Sequence, residues 1–161
     1  KKIRFNESLY LLEDGIFLID NLNNVKKVQF INYNAYYYRI MLQSASHRFD
    51  EEIIEQYKLI IDETMKLSKQ NSVLLPYHYV VGYDCLCSYI SKCCRYQNFT
   101  KSQKIQKIKK IIQEKEFLNI IKNLNVSLLS FKERISFYLI QSKKVVLLYY
   151  VCILKDKLKL N

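Results

Sequence analysis

One proline, Pro76, and two glycines, Gly15 and Gly82, punctuate 161 residues. Tight turns draw on these two residue types, so a turn-rich β-sandwich is excluded and long helices are expected. A glycine-rich phosphate loop is excluded by the same scarcity. At 50% hydrophobic, the chain has enough apolar material for a real core and does not belong to the disordered class.

Helical periodicity dominates from Asp50 onward. Ile53, Ile54, Tyr57, Ile60, Ile61 and Met65 share one face, while Glu51, Glu52, Glu55, Lys58, Asp62 and Lys66 cover the other. The acids in the first turn suit the positive end of the helix dipole. Asn71, Ser72 and Pro76 mark a boundary, after which helices are predicted over Tyr77 to Tyr96, over Thr100 to Asn125, and from Ser130 to about Leu158. The last opens with Ser130 and Glu133 in capping-box spacing. Within it Val145 to Leu154 is an apolar run too short to span a bilayer, so it reads as a packing helix with peripheral membrane contact as a secondary role.

Cys85, Cys87, Cys93, Cys94 and Cys152 are an odd set, and no signal peptide is visible. A disulfide framework is therefore not expected, a reducing cytoplasm fits, and the spacing matches no common structural-zinc pattern. Buried thiols are the ordinary account. Charge is asymmetric: residues 1–75 carry ten Lys/Arg against ten Asp/Glu, and 76–161 carry sixteen against five, the whole net charge of +11. That imbalance points to an anionic partner.

Residues 1–48 have a different texture. Ile3 to Phe5 reads as a short strand, Asp14 to Leu22 as a helix, Val25 to Ile31 as a strand alternating Lys27 and Gln29 with Val28 and Phe30, and Tyr36 to Ile40 as another strand. Residues 41–49 read as a polar loop. The expected fold class is thus α+β, mostly α, with short strands and one helix in 1–48 and about four helices in 49–161. Glu13 and Asp14 stand at the start of the first helix, where two readings fit. They cap the helix, or the dipole keeps a carboxylate ionised and ready to accept a proton from a bound hydroxyl. Tyr36, Tyr37 and Tyr38 fit core packing or stacking on a sugar face, and Arg39 fits a salt bridge to the acidic pair or a phosphate contact.

The order F-N-E at Phe5, L-E-D-G-I-F from Leu12, Y-Y-Y-R ending at Arg39, and S-A-S from Ser44 resembles the later part of the catalytic domain in bacterial family 2 glycosyltransferases that build surface polysaccharides. The resemblance covers about the first 48 residues. It implies that 1–48 end a GT-A-like catalytic domain on its acceptor side and that 49–161 form a helical C-terminal region. It implies inverting transfer from a nucleoside diphosphate sugar to a glycan or lipid-linked acceptor. Asp14 would be the general base and Glu13 an acceptor-orienting carboxylate. Tyr37, Arg39, Ser44, Ser46, His47 and Arg48 would contact substrate, with His47 the candidate for a metal contact.

Magnesium or manganese is expected with the donor-binding half, whose Asp-x-Asp motif the sequence lacks. The chain therefore reads as a fragment, inactive alone. A cytoplasmic enzyme, peripheral at the inner face of the plasma membrane, fits this reading. An anionic membrane surface and a second copy of the chain are further candidate partners. A second class of function stays open, a non-catalytic basic helical module that binds RNA or an anionic membrane, although no recognised RNA-binding motif is present.

Overall fold

A computed structural model describes residues 3–29, 32, 49–50 and 52–159. Its regular structure is helical throughout: α1 (Glu13–Asn24), α2 (Ile53–Gln70), α3 (Leu75–Arg95), α4 (Lys101–Ile111), α5 (Lys115–Asn123), α6 (Phe131–Gln141) and α7 (Val145–Lys159). Short 3-10 turns at Ser72–Leu74 and Val126–Leu128 complete it.

The α+β expectation, including a GT-A-like end of a catalytic domain with short strands in 1–48, is therefore corrected. Among the described residues there is no strand: Ile3 to Phe5 is irregular, and so is the described part of the expected Val25 strand, residues 25–29. The alternation there is short, and Val25, Lys27, Val28 and Gln29 are all exposed. With no face to bury, period-two patterning has nothing to stabilise it. The expected strand Tyr36 to Ile40 and most of the loop after it lie outside the described residues.

The helical half holds with two added breaks. The expected helix from Thr100 to Asn125 is α4 and α5, separated around Gln113 and Glu114. The break lets α4 bury Ile108 and Ile111 while α5 turns Phe117, Ile120 and Ile121 into the core. The expected helix from Ser130 is α6 and α7. There Lys144 N–H donates to Leu139 O at 2.9 Å and Lys143 N–H to Ile140 O at 3.0 Å, closing α6 with a Schellman motif. Lys143 sits at φ 55°, in the left-handed position that glycine normally fills.

Central to the fold is α3, which packs against α2, α4, α5 and α7. Tyr83, Leu86, Ile90 and Cys93 on it are fully buried, surrounded by Ile53 and Ile60 of α2, Ile108 of α4, Phe117 and Ile120 of α5, and Leu148 of α7. Each such side chain contributes about 1.5–3 kcal/mol by leaving water. Gly82 makes the α3–α5 approach possible, since a Cβ there would lie 2.5 Å from Ile120 Cδ1. Helix α1 rests on α2, and Asn71 Nδ2 donates to Asn23 Oδ1 at 3.0 Å across their far ends.

Candidate functional site

The acidic pair is reached through a short, firmly held segment. Asn6 forms an Asx turn, with Ser8 N–H donating to Asn6 Oδ1 at 3.0 Å and Leu9 N–H to Asn6 O at 3.1 Å. Leu9 is buried and anchors the turn to the core. Gln56 of α2 then clamps the backbone on both sides: Tyr10 N–H donates to Gln56 Oε1 at 3.1 Å, and Gln56 Nε2 donates to Ser8 O at 3.1 Å. Phe5 stacks on Phe17 with centroids 4.1 Å apart.

Glu13 and Asp14 are the first two residues of α1, and the position before them belongs to Leu12, whose side chain makes no cap. The capping reading is thereby narrowed. The pair occupies the first turn rather than the N-cap, so its electrostatic benefit comes from the dipole. Asp14 Oδ1 accepts from Gly15 N–H at 2.7 Å, the residue is exposed, and Glu13 beside it is half-buried. Among the described residues no cation forms an ion pair with either. Gly15 is helical, and a Cβ on it would meet only Leu12 Cδ2 at 4.0 Å, so packing does not require a glycine beside Asp14.

Leu12 itself has φ 55° and ψ 19°, the left-handed region that costs a branched side chain about 1–2 kcal/mol. Strain thus sits directly before the carboxylates. Asparagine visits this region cheaply, and Leu12 is exposed, so Leu12→Asn should raise the unfolding free energy by about 1 kcal/mol. A shift of the urea midpoint to lower concentration would show instead that Leu12 contributes packing the strain does not outweigh.

Tyr37, Arg39, Ser44, Ser46, His47 and Arg48 lie outside the described residues. Of the sequence-derived candidates, only Glu13 and Asp14 are therefore placed, together at one helix end. Among the described residues no group of three or more His, Cys, Asp and Glu side chains is arranged to hold a metal ion.

Sequence reasoning missed several interior polar groups. His78 is fully buried, with Nδ1 2.9 Å from Thr64 Oγ1, while Thr64 also lies 3.0 Å from the Ile60 and Ile61 carbonyl oxygens. Thr64 has one proton to give. If it goes to a carbonyl, His78 Nδ1 is the donor and neutral Nε2 carries the lone pair, an atom with no hydrogen-bond partner among the described residues. Burial lowers the His78 pKa, only partly opposed by Asp62. Because the folded value lies below the unfolded one, the unfolded chain takes up the proton first. Stability is full above the unfolded value of about 6.5 and is lost as pH falls from there through the folded value. Melting temperatures measured between about pH 7 and pH 5 should fall more steeply for the wild type than for His78→Leu. Parallel profiles would remove His78 as the cause.

The cysteines are free thiols, and Cys85, Cys93 and Cys94 are buried. Burial pushes Cys85 and Cys87 up to about 12 and Cys93 to about 11. The hydrogen bond between Cys94 and Cys152 raises the former and lowers the latter. Near them α3, α6 and α7 line an open pocket of about 170 Å³, where Lys155 Nζ donates to Ser136 Oγ at 2.9 Å. No helix among the described residues is long and apolar enough to cross a membrane. Comparison with known protein families, with curated proteins and with solved structures gave no match to this chain.

Proposed function

We propose that this chain is the acceptor-side portion of an inverting glycosyltransferase that uses a nucleoside diphosphate sugar, with Asp14 as general base. The observation that carries the reading is the exposed Asp14 carboxylate in the first turn of α1, in a segment fixed by Gln56 and flanked by a glycine that packing does not demand. A base of this kind must reach solvent and hold its position. The exposure of Asp14 and the Gln56 clamp on the preceding residues 8–10 serve these needs in turn.

In the proposed reaction the acceptor hydroxyl gives its proton to Asp14 as its oxygen attacks the anomeric carbon, and the nucleoside diphosphate leaves from the opposite face. Oδ1 already accepts from Gly15 N–H, so Oδ2 is the oxygen open to the hydroxyl. Glu13 would hold a second acceptor hydroxyl. The resemblance assigns donor and divalent metal to a preceding half, and the acceptor to a glycan or lipid-linked glycan.

The test compares the 161-residue chain with a protein extended to include the donor half, assaying nucleotide-sugar binding and transfer. Binding and turnover in the extended protein alone support the reading. Failure of both proteins to bind nucleoside diphosphate sugars overturns it.

A further inference from the structure

Among the described residues, one face of helix α7 is left without a partner. Val146, Leu147, Tyr150, Leu154 and Leu158 are each 49–66% exposed. At 3.6 residues per turn they share an arc of about 120°. Val145 and Leu148 on the other side are buried. Five large apolar side chains in one continuous stripe are more than scattered surface hydrophobics, and such a stripe marks an interaction surface.

The surroundings of the stripe identify its partner. Lys109, Lys143 and Lys144 are exposed and line one shallow hollow with Val146, Leu147 and Tyr150. Lys101 lies over the Tyr150 ring, 4.7 Å from its centroid. A second copy docking through the same face with the two α7 helices parallel would bring the two sets of lysines together, an arrangement that like-charge repulsion opposes. A nucleic acid would engage the lysines through its phosphates but would leave the aliphatic stripe uncovered, since its backbone is polar and the stripe offers only Tyr150 for stacking. Aliphatic side chains rimmed by lysines match the acyl boundary and headgroups of an anionic bilayer.

Lys143 adds an independent indication. It holds the left-handed position of the Schellman motif, where glycine would be unstrained. The strained lysine keeps two adjacent ammonium groups, Lys143 and Lys144, at the rim of the stripe.

We infer that this face of α7 docks on an anionic lipid bilayer, its apolar stripe entering the acyl boundary and Lys109, Lys143 and Lys144 meeting the headgroups. The inference does not rest on glycosyl transfer. Its test reads vesicle binding by the chain alone.

Flotation with phosphatidylcholine vesicles, with and without an equal part of phosphatidylglycerol, should show binding only to the anionic set, reduced by salt. Leu147→Ser combined with Leu154→Ser should weaken binding by about tenfold or more. Lys143→Gly should weaken it by roughly fivefold, while raising the melting temperature, so that stability and binding move in opposite directions. Lys115→Gln combined with Lys122→Gln, two exposed lysines on α5, should change binding by less than about twofold. The inference is overturned if anionic vesicles do not bind, if the leucine variant binds normally, or if the α5 control loses as much as Lys143→Gly. A leucine-dependent dimer without vesicle binding would overturn it too, assigning the face to a second copy.

Discussion

Asp14→Asn should lower kcat for sugar transfer by about a hundredfold to ten-thousandfold in a protein carrying both halves of the proposed enzyme. Asparagine keeps the shape, and its Oδ1 can still accept from Gly15 N–H as the carboxylate does at 2.7 Å. The fold should hardly respond. Asp14 is exposed and makes no described ion pair, so the variant gives up only a first-turn charge against the dipole, about 0.3–1 kcal/mol. Donor binding should also persist, because the proposed role concerns the acceptor proton alone. Turnover in Asp14→Asn within a few-fold of wild type, at unchanged stability, would remove Asp14 from the base role. Lost turnover accompanied by a large fall in melting temperature would point to a structural effect instead.

Gly82→Ala should be the most damaging conservative change in the helical region. The added Cβ would stand 2.5 Å from Ile120 Cδ1, 2.7 Å from Cγ1 and 3.4 Å from Cγ2. Ile120 is fully buried and branched at its own Cβ, so it has little freedom to swing aside. Either α5 moves off α3 or Ile120 leaves its rotamer, and overpacking of this kind costs about 1–3 kcal/mol. Ile120→Val removes the nearest clashing atom and by itself costs about 0.5–1.5 kcal/mol. The double variant should therefore be more stable than the sum of the two losses, by about 0.5 kcal/mol or more in denaturant titrations. Strict additivity would show that the two helices are not in close contact at Gly82.

Much of the helical region was legible because its determinants are local. The α2 stripe of Ile53, Tyr57, Ile60 and Ile61 is buried as its spacing implies, and Ser130 N–H donates to Glu133 Oε2 at 2.7 Å in the capping box read from the sequence. The break between α6 and α7 was hidden because the left-handed residue is Lys143, not the glycine that signals a helix end. The break before α5 carries neither glycine nor proline, and it follows from which faces of α4 and α5 meet the core. Alternation at Val25 to Gln29 misled for the opposite reason. A period-two pattern needs a surface to cover it, and none lies against those residues.

At the candidate site, the placement of Glu13 and Asp14 at a helix start was legible from the change of pattern around them, whereas their first-turn rather than capping position was not. The strain at Leu12 was not, since nothing in a leucine announces a positive φ. Gln56 was equally silent, because its partners Ser8 and Tyr10 lie more than forty residues earlier in the chain.

Gln56 meets its partners much as the backbone of an adjoining strand would, giving one donor and one acceptor to the main chain of residues 8–10. Recognition through the main chain ignores side-chain identity. Substitution at Ser8 or Tyr10 leaves both bonds available, provided position 10 keeps its N–H. Position 56 has no such latitude: a glutamate there would turn its carboxylate against the Ser8 carbonyl, and a lysine would have nothing to offer the Tyr10 amide. Sequence variation around the acidic pair is therefore expected to be loose within the segment that carries it and tight at one distant glutamine on another helix.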